Sequence, residues 1–74
     1  MDFEKQIKRL SDIAIKKNRI AQDEVVKVTK LMQTKYPELT AEYSISDGGV
    51  IFINDSTMEE YYNFEQIYSE FGRR

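Results

Sequence analysis

No cysteine, histidine or tryptophan occurs in this chain, and residues 38–72 contain no lysine or arginine. Without cysteine there is no disulfide and no thiolate zinc site to supplement a small core. Without histidine, Ser–His and Cys–His nucleophile pairs are excluded within one chain, as are imidazole zinc ligands. There are only three glycines. Gly48-Gly49 falls in a turn rather than at a helix start, and no G-x-x-x-x-G-K-[ST] is present, so nothing cradles a phosphate. No apolar run approaches the roughly 18 residues of a membrane span. Met1-Asp2-Phe3-Glu4-Lys5 lacks the basic region and apolar stretch of a secretory signal, which leaves the cytoplasm as the expected compartment. No metal, cofactor or catalytic residue is expected, and the chain reads as a non-enzyme.

What is present is a lopsided charge distribution. Residues 1–37 carry nine Lys/Arg against five Asp/Glu, a net of +4. Residues 38–74 carry Glu38, Glu42, Asp47, Asp55, Glu59, Glu60, Glu65 and Glu70 against Arg73 and Arg74, a net of −6. The overall −2 hides this dipole. With 74 residues the chain makes a single domain, 1–74, which buries only about 60% of its unfolded surface. Domains this small without staples often lean on oligomerisation or a partner, and a homodimer is expected.

Phe3, Ile7, Leu10 and Ala14 recur at helical spacing and span about 60° of arc at 100° per residue, with Asp2 placed to cap them. Lys5, Lys8, Arg9, Lys16 and Arg19 fall on the far side, and Asn18 is a candidate end. Asp23 is the expected second N-cap, and Val25, Val28, Met32 and Tyr36 form the next stripe, which Pro37 terminates. One continuous helix over 2–36 is the alternative. Two are preferred because the stripe loses phase around Ile13–Ile20.

Leu39, Ala41, Tyr43 and Ile45 alternate with polar residues as a half-wet strand does, and Asp47-Gly48-Gly49 signals a hairpin into Val50-Ile51-Phe52-Ile53. A two-residue loop at 47–48 pairs Val50 with Ile45 and Phe52 with Tyr43. Ile51 and Ile53 then share a face with Ser44 and Glu42, and both faces need a cover. Ser56 with Glu59 has capping-box spacing, so a last helix is expected from about Thr57 to Phe71, with Gly72 as C-cap. Its apolar face is Met58, Tyr61, Phe64, Tyr68 and Phe71. Glu59-Glu60 are adjacent on that helix and point about 100° apart, too far to share a proton or metal. The fold class is α+β, ordered α-α-β-β-α, with the hairpin packed against helices.

The acidic, aromatic C-terminal half is the candidate surface. Its plain reading is a solvated helix face over a tyrosine-rich core. Its functional reading is complementarity to a basic groove, with Tyr62, off the main apolar face, as aromatic anchor. Glu42, Asp55, Glu59, Glu60, Glu65 and Glu70 are the candidate electrostatic contacts, and Ile51 and Ile53 the candidate dimer contacts. The basic N-terminal helices suggest an alternative, a small nucleic-acid-binding regulator. An accessory protein of a larger assembly is a third reading.

A small chain free of His and Cys, with an acidic aromatic half, resembles phage host-takeover proteins, among them the sliding-clamp inhibitors of Twort-like staphylococcal phages. Gln66-Ile67-Tyr68-Ser69-Glu70-Phe71 also echoes the short peptide that partners insert into bacterial clamps, with Ser69 where an aliphatic residue is expected. The resemblance implies stoichiometric inhibition of host DNA replication. The acidic surface then acts as a DNA surrogate in the basic channel of the clamp and blocks its loading, without direct nucleic-acid or membrane binding.

Overall fold

The computed structural model describes residues 2–15, 22–44, 46 and 49–74. Helices α1 (Phe3–Ala14) and α2 (Gln22–Gln33) pack against each other and are followed by strands β1 (Leu39–Ser44), β2 (Gly49–Asn54) and β3 (Glu60–Tyr61), then helix α3 (Phe64–Phe71). The three strands form one antiparallel sheet in the order β1-β2-β3.

Asp2 caps α1 as expected, its side chain accepting from the Glu4 N–H at 3.2 Å. Ile7 and Ala14 are buried, and Phe3 and Leu10 pack beside them. The helix stops at Ala14, with Ile15 as C-cap, before the expected end at Asn18, which lies outside the described residues together with Lys16 and Arg19. α2 begins at Gln22, so Asp23 stands in its first turn rather than at its cap. It ends at Gln33, three residues before Tyr36. Its last turn tightens, with the Lys35 and Tyr36 N–H groups both donating to the Met32 carbonyl at 3.1 and 2.8 Å. Pro37 denies Tyr36 helical geometry, yet Tyr36 still completes the stripe and is fully buried.

The hairpin register differs from the expected one by two residues. Val50 pairs with Tyr43 and Phe52 with Ala41, so four residues rather than two separate the paired ends Ser44 and Gly49. This register draws Leu39 into the ladder opposite Asn54 and lets the Asp55 N–H reach the Glu38 carbonyl at 3.0 Å. A slip of two preserves faces, because side chains alternate with period two. Ile51 and Ile53 therefore lie on the expected side, opposite Glu42 and Thr40.

The largest departure is at 57–63, which is not helical. Asn54 closes a turn there. Its Oδ1 accepts from the N–H groups of Ser56 and Thr57 at 2.8 and 3.2 Å, and its carbonyl accepts from Met58 N–H at 2.8 Å. Its own N–H donates to the Glu59 carbonyl at 2.9 Å, which returns the chain as β3 alongside β2. Ser56 and Glu59 thus form no helix cap. The cap is Asn63, accepting from Gln66 N–H at 2.9 Å, while Gln66 Oε1 accepts from Tyr62 N–H at 2.6 Å. Gly72 is the C-cap expected, at φ 79°, its N–H bonded to the Tyr68 carbonyl at 2.8 Å.

Met58, expected in the core, closes the turn at φ 64° with its side chain 69% exposed. A left-handed conformation costs an L-residue about 1–2 kcal/mol, and glycine gives back part of that through its unfolded-state entropy. Met58→Gly is therefore expected to raise stability by roughly 0.5–1 kcal/mol, read as a higher urea midpoint at unchanged slope.

One sheet face, carrying Leu39, Ala41, Val50, Phe52 and Tyr61, packs on all three helices through Ile7, Ala14, Val28, Met32, Phe64 and Ile67. The shortest molecular extent is 18 Å. A helix with side chains is about 10–12 Å across, so that dimension holds the sheet and one helical layer. α2 also closes the outer edge of β1. Thr29 Oγ1 accepts from Ala41 N–H at 2.9 Å, and Gln33 Nε2 donates to the Leu39 carbonyl at 3.0 Å. These bonds blunt an edge that would otherwise invite pairing.

Candidate protein-binding surface

The opposite sheet face presents Thr40, Glu42 and Ser44 from β1, Ile51 and Ile53 from β2, and Glu60 from β3. Its rows are fixed by register. Thr40, Ile53 and Glu60 stand side by side, and Glu42 stands beside Ile51. Continuing the β2–β3 register by one residue brings Tyr62 opposite Ile51. The Tyr62 hydroxyl donates to Glu60 Oε1, and the ring remains 47% exposed. Asp55 closes one end, its carboxylate accepting from the Thr40 hydroxyl at 2.8 and 2.9 Å. Ile51 is only 6% exposed yet belongs to no part of the main core cluster, and Ile53 is half-buried. The result is an apolar ridge whose accessible part is Tyr62 and Ile53, with Ile51 buried beside them, and with Glu42, Glu60 and Asp55 around it.

The remaining candidates lie elsewhere. Glu59 accepts from the Tyr61 hydroxyl at 3.4 Å, on the helix-packed side of the sheet. Burial pushes the Tyr61 phenol above its ordinary pKa, and the nearby carboxylates of Glu59 and then Glu70 push it further. Glu59 and Glu70 thus converge on one phenol, away from the open face. Glu65, in the first turn of α3, lines a groove of about 610 Å³ with Glu4, Lys8 and Asp12 of α1. The six acids expected on one surface therefore divide into three places. The division follows from residues 57–63 forming a turn and strand, since adjacent strand residues such as Glu59 and Glu60 face opposite ways.

None of those six acids has a lysine or arginine within 4 Å among the described residues. In the C-terminal half the acid with a basic partner among the described residues is Glu38, held below the usual carboxylate range by a main-chain hydrogen bond and by the Arg74 guanidinium at 2.9 Å. Arg73 and Arg74 are otherwise spent on rings, lying 4.5 Å over Tyr68 and 5.3 Å over Tyr36. Among the described residues no three Asp, Glu, His or Cys side chains gather closely enough to hold a metal ion. Asp47, counted in the acidic half, lies outside the described residues.

Gln66, Ile67, Tyr68 and Phe71, which echo a clamp-binding peptide, are all within α3. Ile67 is fully buried, and Tyr68 and Phe71 pack against the core. The Tyr68 hydroxyl donates to Glu4 at 2.6 Å. Burial, followed by that carboxylate, pushes the Tyr68 phenol up to about 12. Its folded value lies above the unfolded one, so its stabilising contribution is complete below pH 10 and is lost between about pH 10 and 12. In an ultraviolet tyrosinate titration, the Tyr61 and Tyr68 phenols are both expected to ionise late, Tyr68 together with unfolding. Tyr68→Phe removes its share of the late change and leaves that of Tyr61.

Sequence reasoning missed Thr40, which fixes Asp55, and it placed Met58 in the core. The cluster of turn formers at Asn54-Asp55-Ser56-Thr57 was the available signal, since such a cluster closes a turn as readily as it starts a helix. Neither a scan against protein-family models nor searches of curated proteins and solved structures find a match for this chain.

Proposed function

We propose that this protein is a non-catalytic, stoichiometric inhibitor that lays its open sheet face on the basic channel of a DNA-encircling replication protein, the bacterial sliding clamp. One observation carries the reading. Glu42, Asp55 and Glu60 surround an apolar ridge on the sheet face opposite the one that packs on the helices, and among the described residues none of the three pairs with a lysine or arginine. Carboxylates spaced around apolar contact area suit a groove lined by Lys and Arg, where potentials of opposite sign steer encounter. Tyr62 offers a large, semi-rigid contact with a polar tip.

A homodimer through Ile51 and Ile53 is a rival use of the same face. Ile51 has little surface left to give, and two copies face to face would set Glu42 and Glu60 against their own kind. The face is accordingly assigned to a basic partner.

Binding of labelled protein to purified clamp, followed by fluorescence anisotropy, tests the reading. Saturation at one ratio is expected, with affinity falling steeply between about 50 and 500 mM salt as screening sets in. Duplex DNA at low salt is expected to give no gel shift. Absence of clamp binding, or a DNA shift removed by Lys5→Ala with Arg9→Ala, contradicts it.

A further inference from the structure

Among the described residues, part of the β2 edge has no strand beside it, because β3 pairs with β2 only at Phe52 and Ile53. Thr29 takes both main-chain groups of Ala41, so Ala41 points its N–H and C=O away from β2. Its partner Phe52 must then point its own groups toward β3, where it pairs with Tyr61. Orientation alternates along an antiparallel strand. Val50, two residues before Phe52, therefore aims its N–H and C=O to that same side. β3 ends before reaching it. Register continued to that row arrives at Asn63, where the chain has already turned to cap α3. Among the described residues no side chain bonds either Val50 group.

The space beside Val50 is the groove of about 610 Å³ between α1 and α3. Ile7, Ile15, Phe52 and Phe64 supply apolar lining, and among the described lining residues the carboxylates Glu4, Asp12 and Glu65 outnumber the cation Lys8. We infer that this groove takes a short extended segment of a partner polypeptide carrying lysine or arginine. The segment adds to β2 by exchanging main-chain hydrogen bonds with Val50. An extended residue is the ligand whose N–H and C=O match those of another extended residue. The three carboxylates select its charge. A second copy of this chain is poorly suited to the slot. β1 has its outer edge closed by Thr29 and Gln33, and β3 is two residues long. This inference rests on backbone direction and is independent of the open-face reading.

Amide exchange and spectra of the isotope-labelled full chain test it, with acetyl-Lys-Val-Lys-Val-Lys-amide as probe. In the free protein the Val50 amide is expected to exchange at least about tenfold faster than those of Ile51 and Ile53, which bond β1. The peptide is expected to slow Val50 exchange and to shift the Gly49, Val50 and Glu65 signals. N-methylation of its central residue should weaken binding about tenfold, the value of one hydrogen bond near 1.4 kcal/mol. Asp12→Lys with Glu65→Lys should also abolish it. Val50→Pro removes the donor while leaving the β1 ladder intact, and is expected to act likewise. If that variant fails to fold, the methylated peptide and the charge variants still decide. A Val50 amide already protected in the free chain overturns the inference. So does equal binding of the methylated peptide, shifts confined to Glu42 and Glu60, or protection that appears only as the chain dimerises.

Discussion

Glu42→Lys combined with Glu60→Lys is expected to weaken clamp binding by at least about 100-fold, or roughly 3 kcal/mol, and to leave the thermal midpoint unchanged. Close charge pairs in a desolvated interface carry about 1.5–7 kcal/mol of coupling, whereas pairs at a rim carry little. Both carboxylates flank the ridge of Ile51 and Ile53, which places them well inside any footprint centred there. Both are exposed and have no basic partner among the described residues, so folding loses no ion pair when they are reversed. The matched control is Glu59→Lys with Glu70→Lys. It changes net charge by the same amount but acts beside Tyr61, on the other side of the sheet. Long-range attraction alone predicts equal losses from the two pairs. Docking by the open face predicts that the control loses only a few-fold, chiefly in association rate.

The second large effect concerns stability. Ile67→Ala is expected to cost about 2–5 kcal/mol, the range for removing a fully buried aliphatic side chain that leaves a cavity. Ile67 is 0% exposed. It is one of two buried anchors of α3, the other being Phe64, whose ring lies 6.2 Å from Phe3, 6.3 Å from Phe52 and 5.7 Å from Tyr68. An eight-residue helix has little stability of its own and depends on such packing. At roughly 0.05–0.15 kcal/mol per residue the whole domain holds about 4–11 kcal/mol, so this one truncation removes a large share. Urea unfolding should show the midpoint fall by about half. A fall of under 1 kcal/mol would mean that α3 is not bound to the core as described.

The first two helices were legible from their apolar stripes, although their ends were not: α1 stops at Ala14 rather than Asn18, and Asp23 lies inside α2 rather than capping it. Phe3, Ile7, Leu10 and Ala14, then Val25, Val28, Met32 and Tyr36, all reach the core. The face of each strand residue was equally legible, since a register error of two cannot move a side chain across the sheet. The register itself was not, because it is set by contacts made far along the chain, including the Leu39–Asn54 and Glu38–Asp55 pairings. Met58, Tyr61 and Phe64 misled for a definite reason. Their spacing of three imitates a helical stripe, yet Tyr61 is buried as a strand residue against Phe52, and Met58 packs nowhere. Asn54 decides the matter, by bonding to both sides of its turn and offering the following residues an open strand edge.

That error carries over to the surface. On a helix, Glu59 and Glu70 belong together with the other acids, whereas on a turn and strand Glu60 goes to the open face and Glu59 away from it. The ridge residues Ile51 and Ile53 were visible in the sequence. Their position among Glu42, Glu60 and Asp55 depends on a third strand that no period signalled, because two residues are too few to show one.

The most direct test places a photoreactive residue, p-benzoylphenylalanine, at Tyr62 in one protein and at Lys5 in another, and irradiates each with the clamp. Docking by the open sheet face predicts strong cross-linking from position 62, to peptides lining the clamp channel, and almost none from position 5. Cross-linking from position 5 alone would contradict it and assign the contact to α1.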